Sequence, residues 1–188
     1  MPCVVVYDAN VLYGNTLRDM LIRVARSRLV QAKWSERILD EALENLSARR
    51  PDIQRAKLDR LRALMNAAVP DSLVTGYEPL IEVLKLPDPD DRHVLAAAIK
   101  CHASTIVTWN LSDFPPESLN PWNVEAKSPD EFLLEQISID DRRVWACVQQ
   151  IADSRRHPPE TAEDVLDALD RAGMLESVAA LRSGRWTA

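Results

Sequence analysis

A chain of 188 residues, 46% hydrophobic and 28% charged, has enough apolar side chain for one sizeable core and the composition of a globular protein. Its net charge of −6 speaks against broad, nonspecific coating of nucleic acid, although acidic clusters can still hold cations that in turn hold phosphates. No apolar run approaches the ~20 residues of a membrane span, and "MPCVVVYDAN" lacks the basic start and long apolar stretch of a secretory leader.

The elements alternate along the chain. "CVVVY" (3–7) is β-branched and continuous, as a strand covered on both faces should be. Residues 14–28 place Leu17, Met20, Leu21 and Val24 at helical spacing, and "LVQAKW" (29–34) predicts a second strand. Ser35 can cap a helix carrying Ile38, Leu39, Ala42, Leu43 and Leu46. A third helix is expected over about 52–69, ending before Pro70, and a weak strand over 72–77. Residues 88–103 predict a helix with an acidic start, 104–110 a buried strand, and 123–127 a short last strand. Ser128 and Pro129 then read as cap and first turn of another helix.

This β-α alternation predicts an α/β fold, a three-layer α/β/α sandwich around a mostly parallel sheet. From about residue 138 the strand signal stops. We therefore expect a domain over 1–137 and a small all-helical appendage over 138–188, broken at "HPPET" (157–161), with Thr161 as a cap and Gly173 as a helix end. The three cysteines, Cys3, Cys101 and Cys147, form no CxxC pair and read as small core residues of a reduced, cytoplasmic protein.

Ligands in open α/β sheets bind beyond the carboxyl ends of the strands, where Asp8 and Asn110 should stand. Asp8 alone reads as a turn residue or helix cap, a role open to Asn10 as well; the other reading is a metal ligand. In "DPDDRHVLAAA" (88–98), Asp88, Pro89 and Asp90 suit a helix start. Asp91 differs, because it stands i, i+4 and i+7 with Leu95 and Ala98 and so heads an apolar stripe that faces the sheet. A carboxylate entering a core needs a partner, and a second one at Asp8 repels it unless a cation intervenes. In the helix after Ser35, periodicity does not choose among Glu36, Asp40, Glu41 and Glu44. "TWNLSDFP" (108–115) adds Thr108, Asn110 and Asp113 just past a buried strand. Oxygen ligands without a Cys/His cluster suit Mg²⁺ or Mn²⁺ rather than zinc, and phosphodiester hydrolysis is the chemistry such a site supports.

"VVYDANVLY", "WSERILDEALENL", "LPDPDDRHVLAAAIKCHASTIVTWNLSDFP" and "KSPDEFL" together resemble the PIN-domain ribonucleases, most closely the branch of VapC-type toxins, over about residues 3–137. The helical tail resembles an extension found in some relatives. The resemblance implies a metal-dependent endoribonuclease acting on single-stranded or structured RNA. It matches Asp8, Glu41 and Asp91 to the first three family acids, with Asp8 and Asp91 as metal ligands. For the fourth it offers Asn110 or, preferably, Asp113. Asn10, Thr108 and Asn110 would support the carboxylates. Arg37, Arg92, Arg49 and Arg50 are candidate RNA contacts, and His93 reads as a satisfied packing residue. A small antitoxin protein, a homodimer and a role as a toxin are further expectations of the resemblance. The alternatives are a noncatalytic RNA-binding module and a phosphatase with an aspartyl nucleophile. The second of these lacks the further Asp two residues after Asp8.

Overall fold

The computed structural model describes residues 2–184. Four strands, β1 (Cys3–Tyr7), β2 (Val30–Lys33), β3 (Thr105–Val107) and β4 (Glu125–Lys127), pair in the order β2-β1-β3-β4, and every pairing is parallel. The helices are α1 (Ala9–Leu12), α2 (Asn15–Arg26), α3 (Glu36–Arg49), α4 (Arg55–Ala68), α5 (Glu78–Ile81), α6 (Arg92–Lys100), α7 (Pro116–Leu119), α8 (Pro129–Ser154), α9 (Ala162–Arg171) and α10 (Leu175–Ser183).

The strand order explains where a site belongs. From β1 the chain moves outward to β2, then returns past β1 to β3. Right-handed crossovers in opposite directions put α2 on one face of the sheet and α6 on the other. The loops leaving β1 and β3 therefore diverge, and a crevice opens between the carboxyl ends of these two strands. The ladder runs one residue past each: the Asp8 amide donates to the Val107 carbonyl (3.1 Å) and the Thr108 amide to the Lys127 carbonyl (2.9 Å). Both residues thus stand in the crevice on backbone held by a neighbouring strand.

Packing follows from the apolar patterns. Val5, Val6 and Tyr7 are buried. The Tyr7 ring stacks near Trp34, meets Phe132 of α8 edge-on, and donates its hydroxyl to the Leu21 carbonyl of α2. Helix α6 buries six consecutive residues, His93 to Ala98, between the sheet and α5. The run of Ala96, Ala97 and Ala98 lets its backbone lie close to β1 and β3. Caps at Ser35, Ser128 and Thr161 each accept an amide of the first turn, and Thr161 completes a capping box with Asp164.

Several expectations need correction. Residues 72–77 form no strand; a single bridge joins Leu73 to Trp34, because left-handed backbone at Asp71 (φ 60°) and Gly76 (φ 71°) bends the segment away on both sides. The expected 52–69 helix begins only at Arg55, and the 88–103 helix is a 3-10 turn (Pro89–Asp91) followed by α6. The strand expected over 104–110 shrinks to Thr105–Val107, since Thr108 turns its side chain to Asp8. Cys3 is exposed and Cys101 half-buried; of the three thiols only Cys147 is a core residue.

The C-terminal helices are bound into the same core. Helix α8 leaves helical geometry at Asp140 (φ −155°, ψ 86°), whose carboxylate accepts the Arg143 amide (2.9 Å) and so restarts the helix. Beyond this kink α8 and α9 pack on α2, and Val148, Ile151, Val165 and Leu169 join the apolar cluster that holds Met20, Leu21 and Val24. Asp130 caps α10 from a distance, its carboxylate accepting the amides of Glu176 and Ser177 (both 2.9 Å). Gly173 ends α9 with φ +98°, the left-handed conformation that favours glycine. Among the described residues no helix is long and apolar enough to cross a membrane.

Candidate active site

Asp8 is the best-held acid. It is 5% exposed and caps α1. Its Oδ1 accepts the Ala9 amide (2.7 Å), and its Oδ2 accepts both the Thr108 hydroxyl (2.8 Å) and the Asn10 amide nitrogen (2.9 Å). Burial raises its pKa, and the donors from Thr108 and Ala9 act against that rise. Asn10 also donates to Thr108 Oγ1 (2.9 Å) and accepts the Trp109 amide (3.0 Å), so it ties the two strand ends together.

Thr108, fully buried, is the hub of this network. Its hydroxyl donates to Asp8 and accepts from Asn10 and from the Asn110 amide (3.1 Å). Thr108→Val should cost about 1–3 kcal/mol of stability, because three partners lose one buried hydroxyl at once. Urea denaturation of the two proteins measures this, and equal midpoints would sink the assignment.

Asp91 is different in kind. It sits at the junction of the 3-10 turn and α6, half-buried, and makes no capping hydrogen bond. Burial and the charges of Asp8, Asp88, Asp113 and Glu41 push its carboxyl up to about 7. Glu41, on the inner shoulder of α3, has His93 Nε2 at 3.0 Å and Arg37 Nε at 3.3 Å from one oxygen. Burial opposes its ionisation, but these two contacts outweigh burial and hold its carboxyl below the usual range.

The structure therefore brings Asp8, Glu41 and Asp113 within electrostatic reach of Asp91, and adds Asp88. Asn110 enters through its backbone, and its side chain is exposed; Asp113, half-buried, acts on Asp91 by charge. Among the described residues, no three His, Cys, Asp or Glu side chains stand close enough to cage a metal by themselves. What they offer is oxygen donors used singly or in pairs, with Asp91 unpartnered. That fits Mg²⁺ or Mn²⁺, which keep waters and take one or two carboxylates together with a phosphate.

Two sequence expectations are altered here. His93 is buried but not fully satisfied: Nε2 stands 3.0 Å from a Glu41 oxygen, while Nδ1 has no hydrogen-bond partner among the described residues. The signal for it was one polar side chain amid the buried run of α6. The candidate RNA-contacting arginines separate. Arg37 leans on Glu41 and the Asp90 carbonyl, and Arg92 on the Pro89 carbonyl. Arg50 is clasped by both oxygens of Asp52, while Arg49 lies 4.5 Å from the centre of the Tyr13 ring.

A parallel sheet that gathers acids from β1, α3, α6 and the loop after β3 at its topological crevice defines a class of acidic-site α/β proteins. The model of the PIN domain family matches residues 4–112, and this chain belongs to that family. A second family model, the VapC50 C-terminal domain, matches residues 129–183. The chain is 38% identical over 108 residues to a Mycobacterium tuberculosis (strain ATCC 25618 / H37Rv) protein named "Putative ribonuclease VapC50". That alignment covers 55% of this chain and 63% of the relative, so less than two thirds of the relative's length is spanned. No solved structure matches the chain significantly.

Proposed function

We propose that the protein is a divalent-metal-dependent endoribonuclease that cleaves single-stranded RNA and acts as the toxin of a toxin–antitoxin pair. The observation that carries this reading is Asp91: an unpartnered, half-buried carboxylate surrounded by the charges of four other acids at the sheet crevice. Such an arrangement costs stability unless a cation is to be held there. When bound, Mg²⁺ or Mn²⁺ supplies charge stabilisation to the phosphodiester being cleaved.

The residues divide the work. Asp8 and Asp91 hold the metal. Asp8 is oriented by Thr108 and Asn10, which leave part of its acceptor capacity open to the crevice. Glu41, kept ionised by Arg37 and His93, positions or activates the attacking water. Asp113 is the fourth carboxylate. We infer the toxin role, a homodimer, a cytoplasmic setting and a small antitoxin that covers the carboxylates from the resemblance to VapC-type toxins; the match to the VapC50 C-terminal domain and the VapC50 relative support the toxin reading.

The test is cleavage of a fluorescent single-stranded RNA with Mg²⁺ or Mn²⁺. Asp8→Asn keeps a good helix cap for α1 and so should fold, yet lose cleavage by at least about a hundredfold. An enzyme that cleaves no RNA with either metal, or an Asp8→Asn variant as active as wild type, would overturn the reading.

A further inference from the structure

A groove of about 460 Å³ opens beside the acids, between the corner that joins β1 to α2 and the C-terminal helix α9. Asn10, Tyr13, Thr16, Trp109, Arg171 and Ala172 are among its lining residues. Asn10 is shared with the acidic site, since the side chain that lines the groove also donates to Asp8 Oδ2 at 2.9 Å. Anything seated in the groove is therefore adjacent to the proposed scissile phosphate.

The lining has a consistent chemistry. Trp109 and Tyr13 supply aromatic surface. Trp109 is held in place by the hydrogen bond its backbone amide donates to Asn10 Oδ1 and by close approach to Gly173, where an added Cβ would come within 3.2 Å of the indole. The Arg49 guanidinium stands over the Tyr13 ring, and Arg171 on the opposite wall is exposed, its charge felt by Asp164 of the same helix, so positive charge borders the groove in a protein of net charge −6. A buried arginine, Arg18, shapes the corner by donating to the carbonyls of Leu12 and Tyr13 (both 3.0 Å) and to the Asn15 side chain. Aromatic walls with cations at the rim suit an unstacked base and its phosphate. A peptide strand has no exposed sheet edge to extend here.

We infer that this groove binds a nucleobase of the RNA strand next to the cleaved bond, and that the C-terminal helices belong to the substrate site because they build its far wall. The inference rests on the endoribonuclease reading above and adds to it the source of sequence preference.

Two perturbations of one contact test it. Ala172→Trp fills the groove from an exposed position on the tail, and an abasic residue placed beside the mapped cleavage site removes the base from the RNA. Each alone should lower kcat/KM roughly five- to hundredfold, the range of a base–aromatic stack. Together they should lower it no further than either does alone, because both remove the same interaction. Arg171→Ala, which disturbs no packing, should raise KM severalfold with kcat little changed. Losses that multiply, or cleavage by Ala172→Trp and Arg171→Ala equal to wild type in rate and site, would return the groove to a protein partner or to packing and overturn the inference. A wild-type protein that cleaves no RNA overturns the endoribonuclease reading itself, and this one with it.

Discussion

Asp91→Asn is expected to abolish cleavage and, in the same protein, to raise the thermal midpoint. The Asp91 carboxyl is pushed up to about 7 by burial and by the charges of Asp8, Asp88, Asp113 and Glu41. Its ordinary value is near 4, so between about pH 4 and 7 the folded state binds a proton that the unfolded state does not. Stability from this group is fully present below pH 4 and is lost as pH rises through 7. At pH 8 without metal, the wild type therefore carries the whole repulsion. Asparagine keeps the shape and removes the charge. Because the group is only half-buried, solvent screening reduces the gain to about 1–2 kcal/mol, or ~2–8 °C in a chain of this size. Mg²⁺ or Mn²⁺ should raise the midpoint of the wild type at pH 8 and leave the variant almost unmoved. Calorimetric melts at pH 5 and pH 8, with and without metal, measure all of this. A variant less stable than wild type at pH 8, or one that still cleaves RNA, would refute it.

A chain ended after residue 137 is expected not to fold cooperatively. The cut removes Val144, Val148, Ile151, Val165, Leu166, Leu169, Val178 and Leu181, each 1% exposed or less and each part of the cluster that covers α2. It also strips Asp130 of the two α10 amides it caps. Complete burial of one such side chain is worth roughly 1.5–3 kcal/mol, and whole domains of this kind are stable by only about 5–15 kcal/mol. Removing one side of that cluster therefore uncovers more apolar surface than the remainder can leave in water. The truncated protein should give a broad, noncooperative melt, bind a hydrophobic dye and aggregate. A sharp melt within a few degrees of the full chain would show that residues 1–137 stand alone.

The order of elements was legible because β-branched runs and helical periods are local signals. "CVVVY" and "TIV" lie in a sheet covered on both faces, and their tips could be located before any geometry was known. The register of the acids was only partly legible. Asp91 could be separated from Asp88 and Asp90 by its position above Leu95 and Ala98, an argument about one helix face. Glu41 could not be chosen from Glu36, Asp40 and Glu44 by periodicity, because what distinguishes it is the contact with His93 of α6, fifty-two residues further along. Glu36 and Asp40 turn out to be taken by Arg62 of α4. Long-range pairings of this kind leave no periodic trace. The same holds for Asn10: nothing in "DAN" says that its amide reaches Thr108 across the sheet. The missing strand at 72–77 failed for a different reason, since positive φ at Asp71 depends on tertiary context that composition does not record. The helical tail was visible as a change of pattern. Its share in the core was not, because α2 meets α8 and α9 only in three dimensions.

The meeting of Gly173 with Trp109 has an evolutionary consequence. The two residues come from distant parts of the chain, one at the close of α9 and one at the mouth of the acidic crevice, and a side chain at 173 would crowd the indole at 3.2 Å. A larger residue at 173 would need both a left-handed backbone that it resists and a small displacement of the Trp109 ring. A grafted tail therefore carries one half of a close contact whose other half lies in the PIN domain. Chimeras should succeed when positions 109 and 173 travel together and misfit when they are parted, even where every carboxylate is left in place.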